Sequence, residues 1–486
     1  MTGYAGKLCA AKVSRRKLLR DSAFGVAGLA AGLVTGCGKQ LDGGKGWRVG
    51  KRQRPNILFI NVDQMSINAM SAHGCKYVQT PNIDRLAERG TTFLESHSAD
   101  PICCPARTAW FTGRMSCENA VVYNNTPILK TLPDMGRWMS DHGYETVHSG
   151  KWHIPGRRMV DSFDIVYGEH WVGEYADESV ARTAEAYLHN RTGNDPFFLV
   201  VGFLQPHDIC YWISQNQDPL EKLRYPEIAG ELPALPPNFH YDKVEPQFCR
   251  QLGSHRWGAD GEPLLGDKWT EEHWRYYLWA YYRHVEMVDA VVGHVLDALR
   301  DCGYADNTII IFSSDHGEGQ ARHQKTNKDF LYEEVLKVPL IISCPGRLVE
   351  NRQDRVHLVS GLDILPTVCD FAGIKPPPHQ RGFSLRPLVE DKPVRWREFV
   401  AAESYVTGRM IRTPQYKYIT YKGDPIEQLF DMKNDPWEIR NLAADAKYSS
   451  MLEDHRKILA DWERKLKPAP APEGGWLAAE KKKKKS

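Results

Sequence analysis

Four segments of this chain end in residues able to bind a cation, hold an anion or move a proton, and each follows an apolar run. Ile57-Leu58-Phe59-Ile60-Asn61-Val62 is followed by Asp63-Gln64, and Thr308-Ile309-Ile310-Ile311-Phe312 leads through Ser313-Ser314 to Asp315-His316-Gly317. Phe197-Phe198-Leu199-Val200-Val201 leads to Pro206-His207-Asp208, and Glu145-Thr146-Val147-His148 to Ser149-Gly150-Lys151-Trp152-His153. Two carboxylates brought together in one crevice repel each other unless a cation or a shared proton lies between them. A fifth segment, Cys103-Cys104-Pro105-Ala106-Arg107, sets a thiol near a proline and an arginine. Single residues of these types have plainer uses. A lone Asp after a strand is commonly a turn or cap residue, which suits Asp208 and Asp161, and a lone His is more often packed than ligating, which suits His142, His284 and His294. Asp63-Gln64 and Asp315-His316 fit such uses less well, because each puts two adjacent polar groups after an apolar strand.

The elements that must position these groups follow from the pattern. Continuous apolar runs, Val338-Pro339-Leu340-Ile341-Ile342 among them, indicate strands covered on both faces. Helical stretches lie between them. The clearest opens with Thr270 as N-cap and Glu271 and Glu272 in its first turn, and continues to about Arg300 before Gly303. Alternating strands and helices predict an α/β fold with a largely parallel central sheet sandwiched by helices. In such sheets the ligand crevice lies at the carboxyl ends of the strands. Four strands delivering Asp, His or Lys to that edge define one site, which is the mark of an enzyme.

With 486 residues, 42% of them apolar, the chain can bury a large core. A net charge of +2 gives no reason to invoke nucleic acid. The eleven cysteines are scattered and include no Cys-x-x-Cys, so neither a disulfide framework nor a structural zinc site is expected; Cys104 is expected to pack. The aromatic stretch Trp257, Trp269, Trp274, Tyr276, Tyr277, Trp279, Tyr281, Tyr282 could line a sugar-stacking cleft. The spacing of Trp274, Tyr277, Leu278 and Tyr281 instead marks the buried face of a helix.

Residues 1–37 read as a signal. Ser14-Arg15-Arg16-Lys17-Leu18-Leu19 precedes a small-residue apolar run, residues 22–34, too short to span a bilayer as a permanent helix. The pattern resembles a twin-arginine export signal, and Val34-Thr35-Gly36-Cys37 resembles a lipobox with Cys37 as the lipidated residue. A plain cleaved signal is the alternative. Residues 38–54 are a Gly- and Lys/Arg-rich tether, and residues 468–486 end in a lysine run expected to be a solvated, disordered basic tail.

The chain resembles the formylglycine-dependent sulfatases, which have an alkaline phosphatase-like fold, through four ordered blocks and the Cys103-to-Arg107 pentad, which continues as Thr108-Ala109-Trp110-Phe111-Thr112-Gly113-Arg114. The blocks are Arg54 through Gln64; Gly143-Tyr144 through His153; Ser314-Asp315-His316-Gly317-Glu318 with His323 and Lys328; and Gln428-Leu429-Phe430-Asp431 through Asn434-Asp435-Pro436-Trp437-Glu438 with Asn441-Leu442. The Asp63-Gln64 and Asp315-His316 pairs are similar to the branch that includes choline sulfatases and phosphonate monoester hydrolases. The resemblance implies a catalytic domain over residues 55–375 and a smaller C-terminal α+β subdomain over 376–467. It implies that Cys103 is oxidised to formylglycine by a separate maturation enzyme before it is buried, and that Asp63, Gln64, Asp315 and His316 hold one divalent metal. Calcium is expected from the oxygen ligands, with manganese as the alternative because of the imidazole. Arg107 and Lys151 would hold the aldehyde hydrate and the sulfate, and the hydrate would attack sulfur to give a covalent sulfo-enzyme. His153 would take the proton that lets sulfate leave, and His207 and Lys328 would serve the leaving oxygen. The implied activity is hydrolysis of sulfate esters in a small molecule or glycan, with a phosphonate or phosphate diester as the alternative substrate. Twin-arginine export carries folded cargo, so oxidation and metal loading could both finish in the cytosol before the protein is anchored facing the periplasm or the cell surface. Replacing both Arg15 and Arg16 with lysine is expected to leave the protein in the cytosol, and Cys37→Ser to release it from membranes; cell fractionation measures both.

Overall fold

Strands form where the apolar runs stand. In chain order they are β1 (Asn56–Asp63), β2 (Gly90–Phe93), β3 (Ser96–His97), β4 (Glu145–Gly150), β5 (Asp164–Tyr167), β6 (Phe197–Pro206), β7 (Thr308–Ser314), β8 (Leu340–Ser343), β9 (Arg352–Asp354), β10 (Val359–Ser360), β11 (Val400–Ser404), β12 (Gly408–Arg412), β13 (Tyr416–Tyr421) and β14 (Gln428–Asp431). The computed structural model describes residues 54–168, 170–216, 223, 225–252 and 268–471, all within a unit spanning Arg48–Ser486. The signal with Cys37, nearly all of the tether, Trp257 and the lysine run lie outside the described residues.

Eight strands make the central sheet in the order β5-β4-β6-β1-β7-β8-β2-β9. The first five of these run parallel, with β1 between β6 and β7 and buried along its whole length. Strand β8 is antiparallel to both β7 and β2. A parallel return needs a crossover to the far edge of the sheet. The chain leaving β7 instead stays at the carboxyl edge and re-enters from there, so the run beginning at Val338 is covered as expected but points the other way. Register aligns the strand ends: Asp63 pairs with Pro206, Val62 with Ser314 and Gly150 with Gly202. The residues just beyond these pairs therefore share one edge.

Alternate residues of β1 face opposite layers, as the period of two requires. Leu58, Ile60 and Val62 pack in one core with the helices Gly173–Asn190 and Glu271–Asp301. Phe59 points the other way and meets Trp110 edge-on at 5.4 Å. Thr270 caps the long helix, its side chain accepting from the His273 amide at 3.2 Å. Trp274, Tyr277, Leu278 and Tyr281 are all buried, so they form the inward face of that helix.

The smaller C-terminal subdomain is the antiparallel sheet β11-β12-β13-β14 covered by the helix Ser449–Glu463. Ile411, Tyr418, Leu429, Leu452 and Leu459 fill its own core. Lys417 of β13, fully buried, reaches Glu333 at 3.0 Å and Glu438 at 2.8 Å, and Arg412 reaches Glu95 at 3.2 Å. All nine described cysteines are free thiols, Cys104 among the buried ones.

His148, in the middle of β4, packs edge-on against Trp152 and Phe163 at 5.7 and 5.3 Å, and neither ring nitrogen has a hydrogen-bond partner. Burial, helped by the nearby Arg107 charge, pushes its pKa down to about 3. The unfolded chain binds a proton there near pH 6.5 and the folded protein does not, so this group's contribution is full above about 6.5 and is lost as pH falls from there toward 3. His148→Phe is expected to remove about 1.4 kcal/mol of the stability loss between neutral pH and pH 5.5, read from denaturant midpoints at the two pH values.

Candidate active site

The Cys-x-Pro-x-Arg spacing is explained by a helix. Cys103 is the first residue of the helix Cys103–Thr112, all ten residues of which are buried. Residues four apart lie on one helical face, so Arg107 stands over the same edge as Cys103. Pro105 is tolerated because amides of the first turn lack intrahelical acceptors anyway. The positive end of the helix dipole thus falls beside the sulfur and favours an anion there.

Around that sulfur the strand ends converge. Cys103 Sγ lies 3.1 Å from Lys328 Nζ, 3.2 Å from His316 Nε2 and 3.7 Å from Asp63 Oδ1. Lys151 Nζ bonds the other Asp63 oxygen. Arg107 donates from Nε to Asp315 Oδ2 at 2.8 Å and from Nη1 to Asn61 Oδ1 at 2.8 Å, so its fork is occupied by Asp315 and Asn61. Gln64 accepts from Lys328 and donates to Glu318. Burial pushes the Asp63 carboxyl up, but the Lys151 charge, with Lys328 beside it, outweighs burial and holds it well below the carboxylate range. Burial and Asp63 likewise push the Cys103 thiol up, and Lys328, Lys151 and His316 bring it well below its usual value. Burial raises Asp315, reinforced by the charge of Asp63.

The donor set suits a divalent cation. One ligand atom each from Asp63, Cys103, Asp315 and His316 lies within 4.8 Å of the others. His316 Nδ1 donates to the Gly317 carbonyl at 2.9 Å, which turns Nε2 toward Asp63 Oδ1 and Asp315 Oδ1, each at 3.6 Å, where it could ligate a cation once deprotonated. Two glycines are needed for this approach. A Cβ at Gly317 would stand 2.1 Å from the Glu334 carbonyl, and Gly150, at φ +94°, would bring one 2.1 Å from the Gly202 carbonyl.

His153 and His207 stand apart from these direct contacts. His153, at φ +55°, packs its ring against Trp171 at 5.1 Å and makes no hydrogen bond to the other site residues among those described. His207 shares the field of Asp63, Lys328 and Lys151; burial and the Lys328 charge hold its pKa well below the ordinary value, so it is neutral. Each has a buried Nδ1 without a partner. Asp208 accepts from the Gly173 and Glu174 amides at 3.1 and 2.8 Å, which makes it a helix cap. His323 bonds Glu334 and stacks on Tyr332, away from the sulfur.

Sequence reasoning missed the supporting ring. Glu318, buried, also accepts from Tyr277 Oη and the Asn327 amide. Tyr281 Oη donates to the Gln64 carbonyl at 2.9 Å and accepts from the Ser66 amide at 3.0 Å, holding Gln64 at φ +74°. Asn61, next to last in β1 before Asp63, was readable as a polar residue in an apolar strand.

The chain matches the Sulfatase family over residues 55–374, and the N-sulphoglucosamine sulphohydrolase, C-terminal family over residues 321–465. It belongs to the sulfatase family and is a sulfuric ester hydrolase. It is 33% identical over 442 residues to a delta 4,5-hexuronate-2-O-sulfatase of Bacteroides thetaiotaomicron, covering 85% of this chain and 89% of that protein. It is 29% identical over 444 residues to the choline-sulfatase of Rhizobium meliloti, covering 80% and 82%. A solved 2-O GAG sulfatase aligns with a TM-score of 0.74 at 31% identity, over 87% of this chain and 96% of that one.

Tyr281→Phe would leave the Ser66 amide and the Gln64 carbonyl unsatisfied in the core. It is expected to lose about 1–3 kcal/mol of stability, read from the denaturant midpoint, and to lower kcat as Gln64 relaxes.

Proposed function

We propose that this protein hydrolyses sulfate esters of carbohydrates outside the cytosol, with position 103 as the nucleophile after oxidation to formylglycine. The observation that carries the reading is the setting of Cys103 Sγ, at a helix N-terminus, 3.1 Å from Lys328 Nζ and 3.2 Å from His316 Nε2. An aldehyde at this position supplies, once hydrated, an oxygen nucleophile that the thiol lacks. Asp63, Gln64, Asp315 and His316 would hold a divalent ion, calcium or manganese, which when bound polarises a sulfate oxygen. Lys151 and Lys328 bring positive charge to an anionic ester that would otherwise repel an anionic nucleophile. Arg107 adds its charge while fixing Asp315. Neutral His207 can donate a hydrogen bond to a leaving oxygen, the Lys328 ammonium can supply that oxygen's proton, and the free Nδ1 of His153 can take one up.

The substrate class follows from the relatives, two of which act on hexuronate or GAG sulfates. The export signal and Cys37 suit a lipid-anchored enzyme meeting extracellular glycans. Residues 55–375 would form the catalytic domain and 376–467 the subdomain.

The matured enzyme is expected to release sulfate from at least one member of a panel of sulfated mono- and oligosaccharides, with choline sulfate, a phosphonate monoester and a phosphate diester tested beside it. Peptide mass spectrometry should find the aldehyde at 103 and not at 104. Cys103→Ala should lower turnover by on the order of 1,000-fold or more with the fold intact. An intact thiol at 103 in fully active enzyme would overturn the nucleophile, and preference for the phosphorus esters would overturn the reaction class.

A further inference from the structure

Two aromatic side chains left in solvent pack against the two histidines that border the charged cluster, and a third lies four residues along from one of them. Trp171 is 55% exposed, Tyr175 70% and Tyr211 39%. Trp171 and Tyr211 come from different parts of the chain and meet here. The Tyr211 hydroxyl donates to the Trp171 carbonyl at 3.0 Å. The Trp171 ring meets the His153 ring at 5.1 Å with the planes at 77°, and the Tyr211 ring lies 6.3 Å from that of His207. Tyr175 stands in the first turn of the helix Gly173–Asn190, which begins two residues after Trp171.

The support beneath them is rigid. Asp208, next to His207, accepts from the Gly173 and Glu174 amides and from Gln205 Nε2 at 2.9 Å. Asp177 of the same helix accepts from the Leu204 and Gln205 amides, each at 2.8 Å. The start of this helix and the turn carrying His207 are thereby locked together, and both carry aromatics outward. Single exposed aromatics are ordinary, but a held group of them at the mouth of a crevice marks a ligand surface. Sulfate alone has no use for it. A pyranose ring has one: its C–H face is apolar and matches an indole, while its hydroxyls remain toward polar groups at the rim.

We propose that Trp171, buttressed by Tyr211, is the stacking platform for the sugar ring that carries the ester, so that it selects carbohydrate sulfates over other sulfate esters. This rests on the carbohydrate sulfatase reading above. Trp171 also touches His153, so the test must separate stacking from mere packing. Trp171→Ala is expected to raise KM for the sulfated saccharide about tenfold, and to weaken its binding to the non-turning Cys103→Ala protein about as much. The inhibition constant of inorganic sulfate, which probes only the charged cluster, should change less than about threefold. Trp171→Phe should recover most of the affinity, while Trp171→Leu, which fills space without an aromatic face, should not. Recovery by leucine, or a fall in kcat with a shifted pH profile and unchanged KM, would overturn the platform in favour of packing against His153. Saccharide hydrolysis that is indifferent to Trp171→Ala would sink the platform alone. Failure of the wild-type enzyme to hydrolyse any sulfated saccharide would overturn the carbohydrate reading and the platform with it.

Discussion

Asp63 and Asp315 are both fully buried and both face one imidazole nitrogen at 3.6 Å. Two like charges about 4 Å apart repel by about 4 kcal/mol at the effective dielectric of a protein, and each also loses its hydration. The arrangement stands only because cations surround it. Arg107 faces Asp315, Lys151 faces Asp63, and Lys328 lies between Asp63, Gln64 and the sulfur. None of these cations could be buried alone either. The central part of the molecule is therefore a mutual compensation of charges, and the strand register, the cysteine-bearing helix and the tyrosines of the long helix all serve to hold it in place.

The subdomain takes part in that task from outside. The Glu403 amide of β11 bonds the Ala99 carbonyl at 2.9 Å, close to the start of the cysteine-bearing helix. Ser404 bonds the Asp329 carbonyl, one residue past Lys328, and the Asp329 amide reaches the Pro101 carbonyl at 3.3 Å. Phe330, Leu331 and Tyr332 share a core with Met410, Ile419 and Phe430. The loop that delivers Lys328 to the sulfur is thus packed on the C-terminal sheet.

Reading the chain in one dimension recovers what is written in neighbouring residues. Asp63-Gln64 and Asp315-His316 are adjacent pairs after apolar runs, and the parallel sheet follows from those runs, so that edge of the site was legible. The direction of Arg107 was not, because Asp315, its partner, is 208 residues away and the choice between substrate and carboxylate depends on geometry. Tyr277 and Tyr281 were legible as the buried face of a helix. Their hydroxyls reach Glu318 and Gln64, which the helical period cannot tell. The antiparallel course of β8 escaped notice because a short apolar run looks the same in either direction. Trp171 and Tyr211 carried no signal at all, since nothing in composition marks an aromatic residue as left in solvent.

The total burial of the helix that starts at Cys103 has a consequence in time. A macromolecule that modifies this thiol has to meet it before the surrounding sheet closes. Closure needs Lys328, which is 225 residues further along the chain. At roughly 5–20 residues per second, synthesis of that stretch takes on the order of 10–45 s. During that interval the helix lacks β7 and the β7-to-β8 loop that will later cover it. For any such macromolecule the order in which the ribosome delivers the strands would act as a clock, its window set by the length of chain between the thiol and its last cation.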